Sequence, residues 1–238
     1  MLGPWINSGA LLLGGALGTL LGKVIPKRVR EALPLSCGLM SIGIGTIMLN
    51  KVQTIPPVAM ALLAGAFLGE LLYLEKRLET GINWIQERIT SRTQSAGAKP
   101  LPQGFILKFV TILVLFCISG MGIFGSMQEG ISGDATVLIT KSILDLFTAT
   151  IFATELGLAV ILIAIPQIVI QSTLFFAAVL LLPLLTPTMQ ADFSACGGIV
   201  MLATGLRICG IKIFPIVNML PALILVMPLS ALWAHFVG

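Results

Sequence analysis

The chain has 238 residues, 57% of them hydrophobic and 10% charged, with a formal net charge of +4 and a mean hydropathy of +1.05. Soluble domains carry about 25% charged residues, so this composition excludes a soluble enzyme or nucleic-acid-binding module. It leaves an integral membrane protein whose immediate partner is the lipid bilayer. Several apolar runs approach the ~20 residues that a helix needs to cross a bilayer core, and none alternates as a barrel strand does. The expected fold is therefore an all-α polytopic bundle of about eight spans.

Taken in order, the first run covers residues 6–21. Lys23, Lys27, Arg28 and Arg30 follow it rather than precede it, the reverse of a cleavable signal peptide. The second run, 35–50, carries Gly38, Gly43 and Gly45, and the third covers 57–74. Gly14, Gly18 and Gly22 in the first run, and Gly65 and Gly69 in the third, read as close-packing positions. Next, Leu74, Leu78, Ile82, Ile85 and Ile89 form an apolar stripe opposed by Glu75, Lys76, Arg77, Glu79, Glu87, Arg88 and Arg92. The stripe predicts an interfacial amphipathic helix with Trp84 at headgroup depth, or a continuation of the third span. A flexible linker begins at Thr93. The remaining runs are 105–124, 136–153, 158–185 with an interruption at Pro166, 193–209 and 215–236. The chain thus divides into a three-span unit (1–74), a polar segment (75–104) and a five-span unit (105–238) of one integrated membrane domain.

Lys and Arg set the expected orientation. The segments after the first and third runs hold most of them, and Arg207 and Lys212 follow the seventh, so all three fall on one side, the cytoplasmic one. The N-terminus is then outside, with the acidic turn of Glu129 and Asp134 and with Asp192; Lys51 is the exception.

The run 136–153 carries the strongest functional signal. At helical spacing, Asp134, Lys141, Asp145, Thr148 and Glu155 share one stripe opposite Leu, Ile, Phe and Ala. A charge at bilayer depth costs a few kcal/mol by insertion scales, so the stripe is expected to face protein or a wet cavity. Two readings are open: Lys141 and Asp145 neutralise each other as a structural i, i+4 pair, or they line a ligand or transport site.

A shift of 159 places Cys37-Gly38 on Cys196-Gly197 (196 − 37), and Pro56 on Pro215. Spans 1–3 and 6–8 also share a layout, which suggests an inverted repeat whose site lies on Gly/Pro-broken helices near the midplane. Gly38, Gly197 and Gly198 become candidate site residues on that reading, or simple packing contacts on the other. Gln167 and Gln171, one turn apart after Pro166, and Asn218, between Pro215 and Pro221, are further polar candidates. Glu70, Arg207 and Lys212 read as membrane-surface residues, and His235 as an interfacial one. Cys37, Cys117, Cys196 and Cys209 lie in apolar runs without metal-ligand spacing, so no metal, disulfide or cofactor is expected. No nucleophile elbow, P-loop or paired-His motif occurs, so no enzyme activity is expected.

Several phrases carry a resemblance: GPWINSGALLLGGALGTLLG near the start, LFCISGMGIFGSMQEGISGD from Leu115, KSILDLFTATIFA from Lys141 and FSACGGIVMLATGLRICGIKIFPIVNMLPAL from Phe193. Over essentially its whole length the chain resembles the YqgA-type bacterial membrane proteins. The resemblance implies a multi-pass protein of the bacterial inner membrane and supplies no substrate or catalytic residue. The expected function is a transporter or channel-like carrier of a small polar or ionic solute. The competing expectation is a non-transporting scaffold or partner subunit, a homo-oligomer through Gly-rich helix faces.

Overall fold

The computed structural model describes residues 1–21, 26–81, 84, 105–117 and 119–236. The linker expected from Thr93 lies outside them, as do Ile82, Ile85 and Ile89 of the amphipathic stripe and the basic residues Lys23, Arg88, Arg92 and Lys99. Every element among the described residues is helical. In chain order these are α1 (Gly3–Leu21), α2 (Lys27–Leu49), α3 (Ile55–Leu71), α4 (Leu74–Gly81), α5 (Phe105–Cys117) and α6 (Gly120–Ser132). There follow α7 (Thr136–Leu156), α8 (Ala159–Leu162), α9 (Ala164–Leu181), α10 (Pro187–Ile208), α11 (Ile216–Met219) and α12 (Pro221–Phe236).

Among the described residues, six segments are long and apolar enough to cross a membrane, and α3 with α4 makes a seventh, bent by 47°. The bend passes through Tyr73, a non-glycine residue at φ 51. The expected run 105–124 is not one helix but two of 13 residues each, α5 and α6. Ser119 leaves helical geometry at φ −85, ψ 146, and its hydroxyl accepts a hydrogen bond from the Gly122 amide, so α6 starts afresh. The interruption expected at Pro166 falls at Ile163. Pro166 has no N–H to give to the Leu162 carbonyl, so α8 stops and Pro166 sits in the first turn of α9. By contrast α2 and α10 run unbroken through their glycines. Glycine's low helix propensity, about 1 kcal/mol against Ala, is overridden there by packing.

The glycines show which helices pack and in which direction. On α1, the space a Cβ would need is filled by the Leu146 carbonyl at Gly14 and by the Thr150 carbonyl at Gly18. Four residues along α1 correspond to four along α7, so the two helices are parallel. α2 and α10 meet at two reciprocal contacts: Gly38 against Gly205, and Gly45 against Gly198. Rising numbers on one helix meet falling numbers on the other, so this pair is antiparallel. The same holds for α3 against α11 and α12, where Gly65 meets Ala222 of α12 and Gly69 meets Asn218 of α11. Without a hydrophobic drive between helices in lipid, such close backbone approach is what holds spans together.

The helices form two bundles, each drawing on both sequence units. One holds α2, α3, α10 and α12; the other holds α1, α6, α7 and α9. Phe124 and Phe193 lie at the junction, with ring centroids 5.3 Å apart, and Phe124 packs on Gly197. Near that end, Ser194 donates to Gln128 Oε1 at 3.0 Å, and Lys51 lies 4.0 Å from Asp134. Asp134, just before α7, accepts from the Thr136 amide, and hydrogen bonds from Thr136 hold its carboxyl below the usual carboxylate range.

The antiparallel glycine contacts predict opposite outcomes for two alanine substitutions on one helix. Gly45→Ala sets a methyl 2.7 Å from the Gly198 carbonyl and is expected to cost ~1–3 kcal/mol. Gly43→Ala, with nothing within 4 Å, is expected to be neutral or to stabilise by about 0.5–1 kcal/mol. Melting of the detergent-solubilised variants checks this; equal melting temperatures would contradict the packing.

Candidate functional site

The inward face of α7 carries Lys141 and Asp145, 3% and 7% exposed. The ion pair expected from their spacing forms, and it is the centre of a larger network. Asp145 Oδ2 accepts from Lys141 Nζ, from Asn7 Nδ2 at 3.0 Å and from Gln167 Nε2 at 3.1 Å. One carboxylate oxygen thus joins α1, α7 and α9. Each placement has a local cause. Asn7 lies one helical heptad before Gly14, on the face of α1 that packs against α7. Gln167 follows Pro166, in the first turns of a helix whose start Pro166 determines. Burying a carboxylate is costly unless it is paired and hydrogen-bonded, and here Oδ2 has a cation and two amide donors. Lys141 Nζ also stands 5.8 Å from the centre of the Phe116 ring, within cation–π range.

A cavity of about 100 Å³ reaches this pair. Its polar lining is Lys141, Asp145, Thr148, Ser119 and Thr204, and Phe116 and Phe152 line its apolar side. The cavity extends to Pro34, in the second turn of α2, and to Ile208, the last residue of α10. Those helix ends carry Arg28 and Arg207. It therefore lies between the two bundles and runs from the middle of α7 towards the end where the basic residues cluster. Cys37 lines it too, its sulfur 3.7 Å from the Thr148 hydroxyl.

The break between α5 and α6 opens onto the same cavity. Ser119 and Met121 line it, and a Cβ on Gly122 would meet Lys141 Cε at 3.2 Å. A helix break is tolerated at membrane depth where it borders a cavity or protein, and this one does. The start of α6 and the Lys141 side chain thus meet at one end of the cavity.

Of the residues singled out in the sequence, Lys141, Asp145, Thr148 and Gln167 come together here. Gln171 is buried one turn along α9, and neither its oxygen nor its nitrogen has a partner among the described residues. Gly38, Gly197 and Gly198 do not line the cavity; they are close-packing positions against Gly205, Phe124 and Gly45. Asn218 is also elsewhere: its Oδ1 accepts from the Glu75 amide at 2.8 Å, in a cluster where Glu75 pairs with Arg207. Asp192, expected in an outer loop, is inside α10 and fully buried. Its carboxylate accepts from Thr54, from the Gln53 and Thr54 amides at 3.0 and 2.9 Å, and from Ser230 at 2.7 Å. Asn7, Ser119, Thr204 and Cys37 belong to the site and were not singled out. The Ser119-Gly120 dipeptide, a turn signal inside an apolar run, marks the break.

Fold and site together define an all-helical, multi-span membrane protein with a buried, cavity-facing charge network. The chain belongs to the family described as protein of unknown function DUF554, whose model matches residues 2–231. It is 52% identical over 233 residues to the Escherichia coli K12 "Uncharacterized protein YqgA", covering 98% of this chain and 97% of that one. It is 26% identical over 229 residues to the Bacillus subtilis 168 "Uncharacterized membrane protein YdfK", covering 94% and 93%. No solved structure matches.

The network predicts how variants at the pair will rank. Lys141→Met leaves a buried carboxylate and Asp145→Asn a buried ammonium, each expected to cost ~3–5 kcal/mol. Lys141→Met with Asp145→Asn is expected to recover most of that loss, because the substituted amide keeps a carbonyl oxygen that accepts from Asn7 and Gln167. Thermal unfolding of the solubilised variants decides. A double variant no more stable than either single one would show that charge neutrality is not what the site requires.

Proposed function

We propose that the protein is a carrier for a small anionic solute in the bacterial inner membrane, with the cavity beside Lys141 as its binding site. The observation that carries this reading is the cavity's contact with a buried Lys–Asp pair. Ionisable groups inside a membrane are costly, and those that face a cavity mark ion and substrate pathways. Lys141 supplies the charge, and Ser119 at the start of α6 lies beside it on the cavity wall. Asp145, Asn7 and Gln167 hold the lysine in place, and Thr148 and Thr204 offer hydroxyls along the wall. With the basic residues cytoplasmic and the N-terminus outside, the cavity extends to the cytoplasmic side.

The α2–α10 contacts fit an inverted repeat, at a shift of 160 residues rather than the 159 read from the sequence: it carries Gly38 to Gly198 and Gly45 to Gly205 (198 − 38, 205 − 45), and so exchanges the two contacts between α2 and α10. The same shift carries Ser41 to Met201, and the Ser41 hydroxyl donates to the Met201 carbonyl at 2.8 Å. These relations fit a local two-fold axis perpendicular to the antiparallel pair, hence in the membrane plane, as in carriers built from inverted repeats. The scaffold reading is less well supported: Gly14, Gly18, Gly38, Gly45, Gly65 and Gly69 are all occupied by contacts within one chain.

The test is uptake into proteoliposomes, screened across labelled carboxylates, phosphate, sulfate and halides. Wild-type protein is expected to move at least one of them above protein-free vesicles. Thr204→Trp, which fills the cavity wall, is expected to lower that flux at least tenfold while the protein still elutes as a folded species. Wild-type flux through Thr204→Trp would exclude this cavity as the pathway.

A further inference from the structure

We propose that Asp145, together with the buried amides of α1 and α9, forms a second site for a small monovalent metal cation, which Lys141 occupies in the present structure. It deepens the carrier reading, on which it rests for its role in coupling.

The starting observation is a set of buried polar atoms without partners. Asn7 Oδ1, Ser8 Oγ, Gln167 Oε1 and both polar atoms of Gln171 have none among the described residues. Asn7 and Gln167 are fully buried, Gln171 is 1% exposed and Ser8 is 5% exposed. Buried polar atoms are nearly always satisfied, so several orphans on two adjacent helices point to a second arrangement of these side chains in which their oxygens are used. They lie together. Asn7 and Gln167 share Asp145 Oδ2, Ser8 is next to Asn7 and one heptad before Gly15, which meets Ile161 of α8, and Gln171 is one turn beyond Gln167.

The ligand's class follows from the donor set. Four of the five orphans are oxygens, and the fifth is the nitrogen of an amide whose oxygen is one of them. Hard cations take oxygen ligands, and one carboxylate among neutral oxygens matches a single positive charge rather than two. In the present arrangement Asn7 and Gln167 turn their N–H groups to Asp145 because Lys141 supplies the cation. The terminal torsion of an amide side chain is broad and roughly two-fold. Rotating both amides presents Oδ1 and Oε1 in place of the nitrogens, and the same residues then coordinate a metal ion beside the carboxylate. Lys141, displaced, turns into the cavity, where Phe116 flanks it. Cation binding behind Asp145 thus frees the ammonium to take an anion in front. The two sites favour one another, and by linkage the anion must favour the cation equally.

The experiment measures thermal unfolding of the full-length, detergent-solubilised protein titrated with NaCl, LiCl, KCl or choline chloride at constant ionic strength. A saturable rise in melting temperature with Na⁺ or Li⁺ and none with choline is expected. Asn7→Ala should raise the half-saturating concentration at least tenfold, and the exposed Thr173→Ala should leave it unchanged. Gln167→Glu should lower it, a gain that a merely misfolded variant cannot give. Identical melting in all four salts, unchanged by Gln167→Glu, would overturn the site and assign the orphan atoms to water. Because melting needs no flux, the two readings separate. Cation-dependent melting without anion uptake keeps this site and removes the carrier, whereas Na⁺-independent uptake with cation-independent melting does the reverse.

Discussion

The structure depends on one constraint: a carboxylate in an apolar interior must have its charge answered by a cation and by hydrogen-bond donors. Asp145 meets it by drawing donors from three helices onto one oxygen. Asn7 comes from the first turns of α1 and Gln167 from the first turns of α9, so neither helix can slide along its axis without breaking a bond to the same atom. The network positions three spans at once, and its remaining side faces a cavity rather than another helix. Asp192 is the corresponding point in the other bundle, where a buried carboxylate fixes the α2–α3 turn and α12 to α10. Both acids are satisfied within their own bundle.

Around these points the spans are held by shape. In water, burial of apolar surface would bring the helices together, but lipid removes that drive and leaves close contact and polar bonds. The glycines of α1, α2, α3 and α10 let helices approach closely, several of them, such as Gly14, Gly18 and Gly45, against a neighbouring carbonyl. Glu129 adds an electrostatic anchor: its carboxylate accepts from the Leu2 and Gly3 amides at the positive end of α1.

Much of this is legible in the sequence, for reasons that can be named. The class follows from composition, and most spans follow from runs of apolar residues. Lys141, Asp145 and Thr148 are recoverable because they share a helical period on one segment, and Gln167 because it follows a proline. Asn7 is not recoverable. It stands alone in an apolar run, and its partner lies 138 positions away on a helix whose packing against α1 only the fold reveals. The glycines of α2 and α10 mislead in an instructive way. Low propensity suggests a break, but a flanking backbone at van der Waals distance makes glycine the residue that keeps the helix whole. The one break that matters, at Ser119, sits within a run whose hydropathy reads as continuous, because hydropathy does not register a hydroxyl capping the following amides.

The arrangement of the two bundles has a mechanical consequence. Three of their contacts with each other, Ser194 to Gln128, Lys51 beside Asp134 and Phe124 on Phe193, lie towards one end, while the weak Cys37–Thr148 contact lies on the cavity wall. The cavity between them extends towards the other, at Pro34 and Ile208. This is the geometry of a lever with its fulcrum at one rim. A small rotation about that rim displaces the far ends of α2 and α10 most and leaves the hydrogen bonds of Asp145 and Asp192 at their present lengths. The volume beside Lys141 can therefore change without any buried carboxylate losing a partner.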